Sequence, residues 1–133
     1  MYMILGLGID VVEHIRFSEM NLIDKFIQKN ITAEEQKMFK KNGKLKYNTI
    51  ANNFAGKEAF SKALGTGVKG FLLSEIEILR DNLGKPYINL YGNAKSSFET
   101  SGGKKHHISI SDTDNISTAV VIIERWFYVY FIG

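Results

Sequence analysis

The stretch that most limits the possible folds is residues 46–64, KYNTIANNFAGKEAFSKAL, where Ile50, Phe54, Ala55, Ala59, Ala63 and Leu64 recur at threes and fours. That period gathers apolar side chains on one side of a helix, and Gly65 stands where a C-terminal glycine cap belongs. A long helix with such a stripe needs other elements to cover it. The flanking segments supply them: ILGLGIDVV at residues 4–12, HHISISD and STAVVIIE alternate in the manner of half-buried strands. FLLSEIEILRD and KPYINLYG read as a hairpin turned at NLGK.

The segments between are helical or polar. HIRFSEMNLIDKFIQK places Ile15, Met20, Ile23, Phe26 and Ile27 at helical spacing over one or two short helices. In TAEEQKMFKK, Thr32 precedes Glu35 by three residues, a capping-box signature, with Lys40 and Lys41 suited to the helix end. KNGKLK reads as a polar loop around Gly43, and NAKSSFETSGG as a short helix ending at Gly102 and Gly103. The order of strand, helices, two strands, helix and two strands predicts an α+β fold, with antiparallel strands packed on a long central helix.

At 133 residues the chain fits one domain. It contains no cysteine, which excludes disulfides and thiolate metal sites and fits a reducing compartment; cytoplasm is the expectation. The first residues, MYMILGLGID, lack a basic leader and reach Asp10 early, so no signal peptide is expected. The C-terminal run AVVIIERWFYVYFI includes Glu124 and Arg125 and is shorter than the ~20 residues of a membrane helix, so no membrane span is expected. The formal net charge of +3 suggests an acidic or phosphorylated partner and does not choose among nucleic acid, cofactor and acidic protein.

Chemistry concentrates in two places. On the first strand, Gly6 and Gly8 share a face with Asp10, and the bare glycines allow close approach of another backbone or of a ligand. On the long helix, Glu58 and Lys62 are four apart and share a face, with Lys57 and Ser61 beside them. One reading is an exposed ion pair worth ~0.3–0.5 kcal/mol. The other joins Glu58 to Asp10 as hard oxygen ligands for Mg2+, with lysines neutralising a bound phosphate. His106 and His107 are adjacent on a strand and point to opposite faces, a poor metal pair. The GLG of residues 6–8 is neither a Walker loop nor a full dinucleotide fingerprint.

Four motifs, GLGIDVVEHIRF, FAGKEAFSKALGTG, GKPYINL and ISISDT, occur in the order and spacing of the bacterial holo-[acyl-carrier-protein] synthases, and the resemblance runs from Met3 to about Glu124. It implies a phosphopantetheinyl transferase domain over residues 1–124, followed by an apolar tail at 125–133. The expected reaction moves 4'-phosphopantetheine from coenzyme A to a serine of apo-acyl carrier protein, releasing adenosine 3',5'-bisphosphate in support of fatty acid biosynthesis. Mg2+ and a homotrimer with interfacial active sites are implied as well.

Carried over by motif, Asp10 and Glu58 match the metal ligands, and Glu58 and Lys62 the catalytic pair. Lys57, Lys62, Gly65 and Thr66 match coenzyme A contacts, and Arg16, Lys25 and Lys29 the surface that docks the acidic carrier protein. Two positions depart from the family: Asp112 stands where SxSH ends in histidine, and Asn53 where an arginine is common. Both predict weaker coenzyme A binding or a compensating charge, for which Lys104 or Lys105 is the candidate. The alternative is a degenerate homologue that grips the carrier protein without transfer.

Overall fold

A computed structural model describes residues 1–129. In chain order the elements are β1 (Tyr2–Glu13), α1 (Ile15–Ser18), α2 (Ile23–Asn30), α3 (Ala33–Gln36), β2 (Lys40–Lys41), β3 (Lys44–Leu45), α4 (Tyr47–Ala63), a 3-10 turn (Leu73–Glu75), β4 (Ile76–Arg80), β5 (Pro86–Leu90), α5 (Gly92–Thr100), β6 (Gly103–Asp112) and β7 (Ile116–Trp126). The expected α+β order is present. Strands β1, β7 and β6 form an antiparallel sheet in that spatial order, β4 and β5 form the expected hairpin, and β2 and β3 a small one.

Helix α4 lies across one face of the three-stranded sheet, and the glycines of β1 explain how closely. A Cβ on Gly8 would sit 1.8 Å from the Ala59 carbonyl oxygen, and one on Gly6 would sit 1.8 Å from that of Ala63. The bare face of β1 is therefore taken by the backbone of α4. Small residues on both elements bring the site-bearing strand and helix into direct backbone contact, and Gly56 fits in the same way against Ile78 and Ile108. Around this seam the core gathers Phe17, Phe54, Phe60, Ile76, Ile78, Val121 and Ile123, all buried. Burial of each such side chain contributes roughly 1.5–3 kcal/mol.

The other face of the sheet is apolar and open. A bulge between Ile4 and Gly6 keeps the glycines toward the helix and sends Leu7, Ile9 and Val11 outward, where they are 60–62% exposed. They stand opposite Ile122, Val120 and Thr118 of β7.

Local chemistry overrides the sequence expectation in three places. The helix at Thr32 has the expected capping box, yet it covers only Ala33–Gln36, and Lys40 and Lys41 belong to a hairpin rather than a helix end. Asn42 and Gly43 both have positive φ, 53° and 77°, the geometry of a two-residue hairpin turn, and Lys40 pairs with Leu45 across it. The expected polar loop is thus a tight β-turn. The expected start of the C-terminal tail at Arg125 is no break either: β7 continues through Trp126 opposite Tyr2, and the Phe127 amide donates to the Met1 carbonyl. Of the tail, residues 130–133 lie outside the described residues.

Candidate functional site

Asp10 sits on β1 opposite Ala119 of β7, and the Thr118 hydroxyl donates to its carbonyl at 3.0 Å. From α4, the Lys62 ammonium reaches Asp10 Oδ1 at 3.0 Å and the Ile9 carbonyl at 2.9 Å. The partner of Lys62 is therefore the strand aspartate, and the simple i,i+4 ion pair with Glu58 is not what forms. Glu58 is half-buried on the same ridge of the helix, and its carboxyl is raised above the usual range. Burial is the first cause and the charge of Asp10 the second, with Arg16 and Lys62 pulling the other way. Strand, long helix and first short helix thus bring Asp10, Glu58, Lys62 and Arg16 into one electrostatic neighbourhood.

Two carboxylates that repel each other, with an ammonium seated on one of them, are a fitting donor set for a small hard cation. Mg2+ commonly takes one or two carboxylates and completes its shell with water and substrate phosphate. Among the described residues no cluster of three or more metal-ligating side chains occurs, so an all-protein cage is not formed. The fit is to a metal shared with a phosphorylated substrate.

The remaining expected site residues divide. Gly65 and Thr66 are exposed just past the end of α4, where the Gly65 amide donates to the Lys62 carbonyl and the Thr66 hydroxyl to the Gly67 carbonyl. Arg16 is exposed, with its guanidinium 4.6 Å from the centre of the Phe54 ring, and Lys25 and Lys29 project from α2. These positions leave their side chains accessible. Lys57 is the correction. Its ammonium is fully buried and donates to Glu35 Oε1 at 2.7 Å and to the carbonyls of Leu73 and Ile76. It points into the core, and with its three donors taken it has none to offer coenzyme A. Burial holds its pKa below the usual lysine range, and Glu35 opposes that fall.

The two departures from the family motif have local partners. Asn53 is buried, donates to Glu35 Oε2 and the Ile78 carbonyl, and accepts from Arg80 of β4 at 3.2 Å. Asp112 accepts from the Asn52 amide at 2.9 Å, and its charge acts on Arg80, supporting the guanidinium that burial disfavours. Arg80 is held against burial first by the charge of Glu35 and then by that of Asp112, and among the described residues its one side-chain partner is Asn53. Lys104 and Lys105 begin β6, and seven strand residues put Lys105 about 24 Å from Asp112. Lys105 instead lies over the Tyr2 ring at 4.1 Å. Beside Arg80 opens a cavity of about 450 Å³ lined by Lys37, Lys40, Lys41, Lys46, Thr49 and Asn52, a strongly cationic pocket.

Sequence reasoning missed several of these residues. Lys57 stands seven after Ile50 and three from both Phe54 and Phe60, on the apolar stripe, and that spacing was the available sign of its burial. His14 is buried too, hydrogen-bonded to Ser117 Oγ, which in turn donates to Asn52. As expected, the neighbouring histidines diverge: His106 packs against Phe60 and Phe98, and His107 meets Glu124 at 2.8 Å.

The family model for the 4'-phosphopantetheinyl transferase superfamily matches residues 6–121. A holo-[acyl-carrier-protein] synthase of Lachnoclostridium phytofermentans is 41% identical over 122 residues, covering 92% of this chain and 97% of the relative. Among solved structures, the holo-[acyl-carrier-protein] synthase of Neisseria meningitidis superposes with a TM-score of 0.82 at 35% identity, covering 91% of this chain and 98% of that one. The Bacillus anthracis synthase, solved in complex with CoA (3',5'-ADP), gives 0.75 at 30% identity, covering 93% and 99%. With its motifs, its strand and helix order and these likenesses in agreement, the chain belongs to the holo-[acyl-carrier-protein] synthases of the 4'-phosphopantetheinyl transferase superfamily.

Proposed function

We propose that this protein transfers 4'-phosphopantetheine from coenzyme A to the acceptor serine of an apo-acyl carrier protein. The observation that carries the reading is the convergence of Asp10, Glu58 and Lys62, from a strand and a helix 48 residues apart, in a chain of this family. In the reaction the serine oxygen forms a bond to the phosphorus that bears pantetheine. The pyrophosphate P–O bond breaks, and adenosine 3',5'-bisphosphate leaves with the bonding pair.

Asp10 and Glu58 would hold Mg2+, which when bound neutralises phosphate charge and orients the pyrophosphate. Lys62 swings from Asp10 to a phosphate oxygen, supplying a charge-assisted hydrogen bond where negative charge grows. Glu58, whose pKa burial raises, accepts the serine proton directly or through water. Gly65 and Thr66, exposed just past Lys62 at the end of α4, border the pantetheine phosphate. The cationic pocket beside Arg80, Lys40, Lys41 and Lys46 receives the remaining phosphate charge of coenzyme A. A negative carrier protein docks on Arg16, Lys25 and Lys29, which act mainly on encounter rate.

The open face of Leu7, Ile9 and Val11 flanks Asp10 on β1, and a contiguous exposed apolar sheet face marks an interaction surface. It is covered in a homotrimer whose active sites lie at the subunit boundaries. Among the described residues no helix is long and apolar enough to cross a membrane. The alternative of a non-transferring homologue is motivated by Asp112, whose side chain is held by the Asn52 amide. The test is release of adenosine 3',5'-bisphosphate, followed by chromatography with coenzyme A, apo-carrier protein and Mg2+. Stoichiometric release that stops with Glu58→Ala supports transfer, whereas carrier binding with no release supports the alternative.

A further inference from the structure

The buried cation of α4 is fully bonded. The Lys57 ammonium has three donors, and Glu35 Oε1, the Leu73 carbonyl and the Ile76 carbonyl take all three. Glu35 Oε1 also accepts from the Thr32 amide at 3.1 Å, and Oε2 accepts from Asn53 at 2.8 Å, one helical turn before Lys57. Asn53 goes on to the Ile78 carbonyl at 3.0 Å. Two successive turns of α4 are therefore tied to one carboxylate on α3 and to three carbonyls at or beside β4. Among the described residues no buried side-chain nitrogen or oxygen lacks a partner.

Stability does not account for this arrangement, because a buried ion pair is often matched or surpassed by apolar residues of similar volume. Direction does account for it, since charge-assisted hydrogen bonds fix angles as apolar contacts do not. The opposite side of the helix is fixed as well, by the Ala59 and Ala63 carbonyls against Gly8 and Gly6. At 100° per residue, Glu58 falls between the directions of Lys57 and Ala59, and Lys62 lies one turn further along the same ridge. The ridge that faces Asp10 is held from both flanks. With side chains reaching about 5–6 Å from the axis, a 20° roll of α4 would carry the Glu58 carboxylate ~2 Å.

We propose that the buried Glu35–Lys57 pair is a positioning device that sets the roll of α4 and thereby aims Glu58 and Lys62 at Asp10. Neither residue touches substrate. The inference rests on the reading of Asp10 and Glu58 as the metal-holding pair of a transferase. It is tested with Glu35→Gln/Lys57→Met, which removes both charges of the pair together, so that neither is left without the other. Glu35→Asp, which keeps the charge and shortens its arm, is the second variant should the first not fold.

Two readouts are taken on the full chain: steady-state transfer, and Mn2+ binding to the protein without substrates by electron paramagnetic resonance. In the folded variant, kcat falls about 10- to 100-fold. The KM for carrier protein stays within about twofold, and Mn2+ binding weakens about tenfold, by analogy with the 10–100-fold cost of losing groups that orient metal ligands. A folded variant with kcat or Mn2+ affinity equal to the unmodified protein overturns the proposal. Absence of transfer or of Mn2+ binding in the unmodified protein would contradict the transferase or metal-site reading itself, a result separable from insensitivity of the variants alone.

Discussion

Lys62 on α4 and Asp10 on β1 form an ion pair at 3.0 Å, so a cation already occupies one carboxylate of the pair assigned to the metal. Lys62 is half-exposed and Asp10 only 16% exposed, which leaves the lysine the more mobile partner. Metal and lysine should compete for Asp10. Lys62→Ala is accordingly expected to tighten Mn2+ binding to the protein alone, by about two- to fivefold for a partly screened pair. The same change should lower kcat with coenzyme A by about 100-fold, because the phosphate contact is lost. Calorimetric titration and steady-state assays check the two opposite signs.

Glu58 gives a pH dependence with a definite sign. Its pKa is raised in the folded chain, first by burial and then by Asp10, so between the unfolded value of 4.5 and the raised one the native state binds more protons. Stability contributed by the protonated carboxyl is then lost as pH rises through the folded value. Glu58→Gln should melt higher than the unmodified protein at neutral pH without metal, and the difference should shrink below about pH 4.5. Transfer by the variant should be absent. Melting curves across pH, with and without Mg2+, test this, with Mg2+ raising Tm only in the unmodified protein.

Arg16 lowers the pKa of Glu58 and also stands on the expected docking surface. Arg16→Ala should therefore do two things: shift the acid limb of the kcat profile to higher pH, and reduce the salt dependence of carrier-protein association. Lys29→Ala, on α2, should reproduce only the second effect. Equal pH profiles for Arg16→Ala and the unmodified protein would remove Arg16 from the neighbourhood of Glu58.

The seam between β1 and α4 should tolerate no side chain. A Cβ on Gly8 would fall 1.8 Å from a backbone oxygen that no rotamer change can move. Gly8→Ala is expected to destabilise by about 3 kcal/mol or more, at or beyond the upper end of the overpacking range. Urea denaturation measures it. On the opposite face of the same strand, Leu7→Arg should leave the fold intact; if the proposed trimer forms through this face, native mass spectrometry should show monomers for the variant, with loss of transfer.

Much of this was legible in the chain. The period of α4, the capping box at Thr32 and the alternation of β1, β6 and β7 are local patterns, and local patterns survive folding. What escaped was set by tertiary contact. The spacing of Lys57 on the apolar stripe marks its burial, but no pattern near it says that its partner is Glu35, which only the packing of α3 against α4 supplies. Arg80 could not be matched to Asn53 and Asp112 without the placement of the β4–β5 hairpin. The glycines of β1 were seen as a bare face, but whether a helix or a ligand filled it depended on the crossing of α4. At Asn42 and Gly43 the turn chemistry was present in the sequence and outweighed the helical reading of the lysines before it.

The most direct measurement is the intact mass of an apo-acyl carrier protein incubated with this protein, coenzyme A and Mg2+, in parallel with Asp10→Ala and with excess chelator. The account predicts a gain of one phosphopantetheine per carrier molecule with the unmodified protein and an unchanged mass in the other two samples. An unchanged mass with the unmodified protein, or an equal gain with Asp10→Ala, would contradict it.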